Sequence, residues 1–175
     1  KLLENCSKLK NGAKILLHKV SNPSLYGIAK INSSKKITLI KEKPGKFISN
    51  YAITGIYFFD NKVVHYSKNL KPSKRGELEI TDLLKKYKKN NKLTAEIIGR
   101  GGAWLDTGSI ENFYKTSNFV SAIQNQQDVK IACIEEIAYL NKWISKQQIL
   151  KSIKFYGKCE YSNYLKRIIL KYKLI

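Results

Sequence analysis

The chain has 175 residues, 43% of them hydrophobic and 26% charged, which is the composition of a globular domain and excludes wholesale disorder. Its longest apolar runs, such as Ile53–Phe59, are too short to span a bilayer as a helix. Lysine and arginine total 33 against 13 acids, a net charge of +20, but only Arg75, Arg100 and Arg167 are arginines. Groove and phosphate readers favour the planar arginine fork, so this lysine-rich excess, spread along the chain with Ile and Asn, reads as compositional drift and no nucleic-acid partner is expected.

Methionine is absent, so the chain is not expected to begin at a translation start, and no signal peptide opens it. Cys6, Cys133 and Cys159 are scattered and form no CxxC pair, which points to reduced thiols in the cytoplasm rather than a sulfur-bound metal.

Taken in chain order, Ala13–Val20 and Tyr26–Ile31 read as strands, and Asn32–Lys36 as a turn into a third strand, Ile37–Lys43. Tyr51–Phe59, rich in β-branched and aromatic residues, predicts a strand buried on both faces. Asp60 is placed to cap a short helix over Asn61–Asn69. Ile80, Leu83, Leu84 and Tyr87 recur at helical spacing and predict an amphipathic helix over Glu79–Lys89. Leu93–Gly99 and Ala103–Asp106 read as further strands. From Ser109, a plausible N-cap, the pattern turns helical. Ser145 with Gln148 forms a capping box flanked by Ile144 and Ile149, and a last helix covers Asn163–Lys173.

Four clusters carry polar chemistry. In Glu42-Lys43-Pro44 a carboxylate that can accept from sugar hydroxyls adjoins an ammonium that can meet a phosphate; the other reading is a solvated strand end. In Arg75–Asp82, Glu77, Glu79 and Asp82 can hold either the Arg75 guanidinium or the start of a helix. Asp106 sits among glycines between a strand and a helix, a position suited to a Mg²⁺ ligand or equally to a helix cap. Tyr26-Gly27 could bring a backbone amide to a sugar. His18 and His65 have no nucleophile at a suggestive spacing and read as surface or core residues.

In order, Ser24–Gly27, Glu42–Pro44, Asn50–Asp60, Arg75–Asp82, Ala103–Gly108 and Cys133–Tyr139 closely resemble the glucose-1-phosphate thymidylyltransferase family over essentially the whole chain. The resemblance implies an α/β fold: a nucleotidyltransferase-like, Rossmann-like mixed sheet truncated at its N-terminal half and followed by C-terminal helices. It divides the chain into residues 1–108, the sugar-phosphate side of the α/β domain, and a helical region, 109–175, packed on it.

It also implies roles. Tyr26, Gly27, Glu42, Ile53, Tyr57 and Trp104 would form the sugar subsite, Lys43 and Arg75 would hold the phosphate, and Arg75 and Asp106 would be catalytic, Asp106 as the Mg²⁺ ligand. The substrates implied are dTTP and glucose 1-phosphate, at the entry to dTDP-rhamnose and deoxysugar synthesis, in a cytoplasmic homotetramer.

The family's glycine-rich G-x-G-T-R-L loop and L-G-D-N strand end are missing. The expectation is therefore a C-terminal part, inactive alone and poorly soluble. A secondary nucleotide site would use Glu136 and Ile137, but Leu140 stands where the family pattern has arginine. The alternatives are a pyrophosphorylase for another sugar nucleotide, or a non-catalytic sugar-phosphate-binding or regulatory protein.

Overall fold

The computed structural model describes residues 2–33 and 36–172. Its contacts divide the chain into two compact units, Lys1–Trp104 and Leu105–Ile175.

The first unit opens on α1 (Leu2–Ser7) and then builds a five-stranded sheet from β1 (Ala13–Lys19), β2 (Ile28–Ile31), β3 (Ile37–Lys41), β4 (Tyr51–Phe59) and β5 (Leu93–Ile97). The order is β3-β2-β4-β1-β5; β1 and β5 are parallel and the other pairs antiparallel. Helices α2 (Lys62–Lys68) and α3 (Ile80–Lys89) lie between β4 and β5 in sequence. The apolar stripe of α3 does what its spacing predicts: Leu83, Leu84 and Tyr87 are buried with Ile15, Leu17, Ala29, Ile40, Ile53 and Leu93 in one core.

Asp60 fastens the end of this core. Its carboxylate accepts from the Gly12 amide (2.7 Å), the Lys62 amide (3.0 Å) and the Tyr87 hydroxyl (2.8 Å). One residue thus caps α2, as expected, and also ties β1 and α3 to the end of β4. Burial alone would raise its pKa, but these donors outweigh it and hold the carboxyl below the ordinary aspartate value.

Three expectations are corrected. β4 is not buried along both faces, because Gly55 and Ile56 face solvent, Ile56 at 40% exposure. The reason is a bulge: β1 pairs Ile15 with Tyr57 but Leu17 with Ile53, and Gly55 takes up the irregularity at φ +84°. Ala103–Asp106 forms no strand; its anchor to the sheet is the Trp104 indole, which donates to the Thr54 carbonyl (3.0 Å) in place of a ladder. Strand β2 starts at Ile28 rather than Tyr26, after a 3₁₀ turn over Pro23–Leu25. In the expected turn at 32–36, Ser34 and Lys35 lie outside the described residues, and Asn32 and Lys36 close it with a backbone bond of 3.0 Å.

The second unit is helical: α4 (Ile110–Gln127), α5 (Ile134–Leu140), α6 (Lys146–Tyr156) and α7 (Glu160–Lys171). Ser109 caps α4 by accepting from the Asn112 amide, and Ser145 with Gln148 closes the capping box on α6. Lys173, the expected end of the last helix, lies outside the described residues.

Cys133, Ile149, Tyr164, Leu165, Ile168 and Ile169 make this unit's core. Within it the buried Glu135 carboxylate accepts from the hydroxyls of Tyr156 (2.9 Å) and Tyr161. Desolvation opposes its ionisation, but the Tyr161 bond, its own amide and the Tyr156 bond prevail and lower its pKa.

Candidate functional site

Gly27 stands just before β2, and the backbone pins it from two sides. The Lys43 amide donates to the Tyr26 carbonyl (3.1 Å), and the Ile53 amide to the Gly27 carbonyl (2.8 Å). These bonds bring the segment after β3 and the start of β4 onto two adjacent residues, Tyr26 and Gly27. The space a side chain would take at Gly27 is occupied: a Cβ there would lie 2.9 Å from Glu42 Oε2, 3.2 Å from Thr81 Cγ2 and 3.7 Å from Ile53 Cδ1. Glycine is what allows the Glu42 carboxylate to lie over this backbone.

The strand ends two residues short of the expected Lys43, ahead of Pro44. β3 stops at Lys41, Lys43 takes the left-handed φ of +34°, and Pro44 is buried. A non-glycine residue in that region is held there by its surroundings.

Glu42 is the electrostatic centre of the cluster. Desolvation and the nearby Glu79 carboxylate raise its pKa above the ordinary glutamate value, against the opposing pull of Lys43, Arg75 and the Thr81 hydroxyl. That hydroxyl, in a residue only 1% exposed, lies close enough to favour the ionised form but makes no hydrogen bond of good geometry. Tyr57 is also near: burial, then the charge of Glu42, pushes its phenol upward.

The Arg75 loop settles one alternative. Arg75 Nη2 lies 3.0 Å from Glu77 Oε2, and Nη1 lies 3.5 Å from Glu79 Oε1. Glu79 occupies the N-cap position of α3 but makes no side-chain cap bond; its carboxylate accepts instead from Ser73 Oγ (2.9 Å). The two glutamates therefore hold the guanidinium, not the helix start. Asp82, in the first turn of α3, pairs with Lys85 at 2.7 Å.

A third group is aromatic. Tyr26 meets Trp104 edge-on at 5.1 Å between centroids, and His18 lies 5.9 Å from the same indole. His18 Nδ1 is buried without a hydrogen-bond partner among the described residues. The Thr54 carbonyl that fixes Trp104 sits at the β4 bulge, which re-aims it off the ladder.

Of the residues singled out from sequence, Tyr26, Gly27, Glu42, Lys43, Ile53, Tyr57, Arg75 and Trp104 all belong to the first unit; Asp106 belongs to the second. There its carboxylate approaches Gly108, 3.1 Å from where a Cβ would stand. Thr81 and Glu79 are reached from sequence only within the Arg75–Asp82 cluster, Glu79 as a partner for Arg75, and Thr54 and His18 lie outside the expected site. The sequence signal for the first two was their place at the start of an amphipathic helix that follows the arginine.

The nucleotidyl transferase family profile matches residues 1–123. The chain belongs to the nucleotidyl transferase family. Among its relatives, the glucose-1-phosphate thymidylyltransferase of Neisseria meningitidis is 40% identical over 169 residues, covering 97% of this chain and 59% of the relative. That of Xanthomonas campestris is 41% identical over 163 residues, covering 93% and 55%.

A solved glucose-1-phosphate thymidylyltransferase of Bacillus anthracis, in complex with sucrose, superposes at a TM-score of 0.60 with 42% identity, over 67% of this chain and 47% of that one. A UDP-glucose pyrophosphorylase complexed with UDP-glucose superposes at 0.55 with 26% identity, over 61% and 43%. The chain thus spans between half and three fifths of the length of the curated relatives named here.

A nucleotidyl transferase suggests a divalent metal. Among the described residues no group of three or more His, Cys, Asp or Glu gathers that would cage such an ion, so a carboxylate such as Asp106 would act together with water and substrate. That donor set fits Mg²⁺, which takes one or two carboxylates together with water and substrate phosphates, and not an ion caged by protein alone.

Proposed function

We propose that this chain provides the sugar-phosphate side of a Mg²⁺-dependent glucose-1-phosphate thymidylyltransferase, which makes dTDP-glucose and pyrophosphate from dTTP and glucose 1-phosphate. The observation that carries the reading is the Gly27–Glu42 cradle with two cations beside it, Lys43 and Arg75, whose charges act on Glu42. Glu42 accepts from glucose hydroxyls, with the Gly27 and Ile53 backbones alongside. Tyr57, Tyr26 and Trp104 wall the sugar, and Lys43 and Arg75 hold its phosphate.

An oxygen of that phosphate then attacks the α-phosphorus of dTTP in line; its new P–O bond forms as the bond to pyrophosphate breaks. Such a displacement calls for positioning and charge neutralisation, so no side-chain nucleophile is required. Asp106 is the residue that would hold Mg²⁺, which when bound offsets charge on the triphosphate.

The pathway reading, entry to dTDP-rhamnose and deoxysugar synthesis, follows from that product, and a cytoplasmic homotetramer from the same resemblance. Among the described residues no helix is long and apolar enough to cross a membrane. The superposition on a UDP-glucose pyrophosphorylase favours, as second reading, a pyrophosphorylase for another sugar nucleotide.

The test is pyrophosphate release by the full-length gene product with Mg²⁺ and glucose 1-phosphate, supplied with dTTP or UTP, beside Asp106→Ala. Release with dTTP that collapses in the variant supports the first reading, and preference for UTP the second. Sugar-phosphate binding without release in any combination would leave a binding role.

A further inference from the structure

The guanidinium assigned to the phosphate already has two carboxylates on it, and they differ in kind. Glu79 is 11% exposed and fixed a second time by Ser73 Oγ. The Glu77 side chain is 59% exposed, and Arg75 is its only side-chain partner among the described residues. Arg75 is itself 44% exposed on the same side chain.

The backbone that presents them is a closed turn. The Gly76 amide donates to the Ser73 carbonyl (2.9 Å), the Ser73 amide to the Glu77 carbonyl (2.8 Å) and the Arg75 amide to Ser73 Oγ (3.1 Å). Such a turn sets the Glu77 backbone beside Arg75 and leaves the exposed side chain room to move.

We propose that Glu77 is an exchangeable placeholder for phosphate on Arg75: its carboxylate occupies Nη2 in the free protein and is displaced when a phosphate monoester arrives, while Glu79 remains as the fixed positioning partner. The inference rests on the reading of Arg75 as a phosphate holder. The physical logic is competition. A carboxylate and a phosphate want the same planar donors, and a phosphate dianion placed beside an undisplaced Glu77 meets like charge. Because the pair is solvent-exposed, breaking it costs little, and exchange stays reversible. Glu77 then weakens phosphate binding, which favours turnover over tight retention of a sugar phosphate.

The experiment is an NMR titration of the chain, following the Arg75 Nε–H signal, with inorganic phosphate and with glucose 1-phosphate at fixed ionic strength. Wild type, Glu77→Gln, Glu77→Ser, Arg75→Gln and the Arg75→Gln/Glu77→Gln double variant are compared; calorimetry serves where Arg75 is replaced. Removing the Glu77 charge is expected to tighten binding of both phosphates about three- to fivefold, the order of an exposed arginine–carboxylate pair. That gain vanishes without Arg75, and phosphate-free glucose is unaffected.

Unchanged or weaker phosphate binding in both Glu77 variants overturns the proposal, as does failure of every variant to bind either phosphate. Tightened binding of inorganic phosphate without any binding of glucose 1-phosphate would leave the exchange standing and sink the sugar-phosphate reading.

Discussion

Gly27→Ala separates the site's geometry from the fold's stability more cleanly than any other single change. Alanine adds one carbon, placed 2.9 Å from Glu42 Oε2 and 3.2 Å from Thr81 Cγ2. Ordinary carbon–oxygen contact needs more room than the first of these, so something must move. The nearest atom is the far end of a flexible glutamate, whereas the Thr81 methyl belongs to a buried side chain on α3. Glu42 therefore yields, by several tenths of an ångström.

The backbone bonds from Lys43 and Ile53 need not break, so the stability cost is the low end of overpacking, about 1 kcal/mol. Binding suffers much more: the carboxylate leaves its position and a methyl group enters the cradle. Misplacement of a positioning group on this scale costs on the order of 10- to 100-fold. Chemical denaturation should show Gly27→Ala within about 1.5 kcal/mol of wild type. Titration with glucose 1-phosphate should show the tenfold or greater loss. Undiminished affinity would mean that Glu42 over Gly27 is not where the sugar sits.

Three further outcomes follow from the same groups. Thr81→Val keeps the shape and removes a buried hydroxyl without a good partner; denaturation should find it neutral or up to about 1 kcal/mol more stable, where a hydrogen-bonded threonine would lose stability. Because the folded pKa of Glu42 is raised, its ionisation costs stability as pH rises through that value, so Glu42→Gln should be the more stable protein at neutral pH. Glucose 1-phosphate affinity should fall as pH drops through the same raised value, and the part of that fall beyond protonation of the ligand's own phosphate should be absent in Glu42→Gln, which binds weakly throughout. For Glu135 the sign reverses. Its lowered pKa contributes stability that is present above 4.5 and lost as pH falls through the folded value, and Tyr161→Phe, followed by helical circular dichroism, should lower stability at pH 7 and flatten that acid transition.

What the sequence could and could not convey follows from how local each feature is. The run at Tyr51–Phe59 and the stripe Ile80, Leu83, Leu84, Tyr87 declare a strand and a helix through composition and period alone, and both stand. The bulge in β4 does not, because register belongs to a pair of strands and Gly55 looks like any turn glycine until Ile15 and Leu17 choose their partners. Helix α1, with six residues, is too short for periodicity to speak. In the site, resemblance to a family put names to Gly27, Glu42 and Arg75. Residues 27 and 42 meet only because the β2–β3 hairpin closes, and Thr81 and Glu79 join them only because α3 packs its start against it. Tertiary contact assembled the site, and no local window contains it.

Two carboxylates in the first unit show why this cluster, and not another, is read as functional. Asp60 and Glu42 both lie near strand ends, and burial opposes ionisation of both. Around Asp60 the chain supplies three donors, the pKa falls, and the residue is spent on holding the fold. Around Glu42, desolvation and a second carboxylate, Glu79, prevail over the opposing Lys43, Arg75 and Thr81, and the pKa rises; Thr81 lacks good geometry and Lys43 sits in a left-handed conformation. Three unfavourable features within one cradle are not what selection for stability leaves behind. On the proposed reading, a ligand with several hydroxyls and an anionic end would answer this cluster: its hydroxyls would donate to Glu42 and its phosphate would meet Lys43 and Arg75. The strain is therefore read as preorganisation for such a ligand, and Thr81→Val together with Glu42→Gln, more stable but weaker in binding, would be its signature.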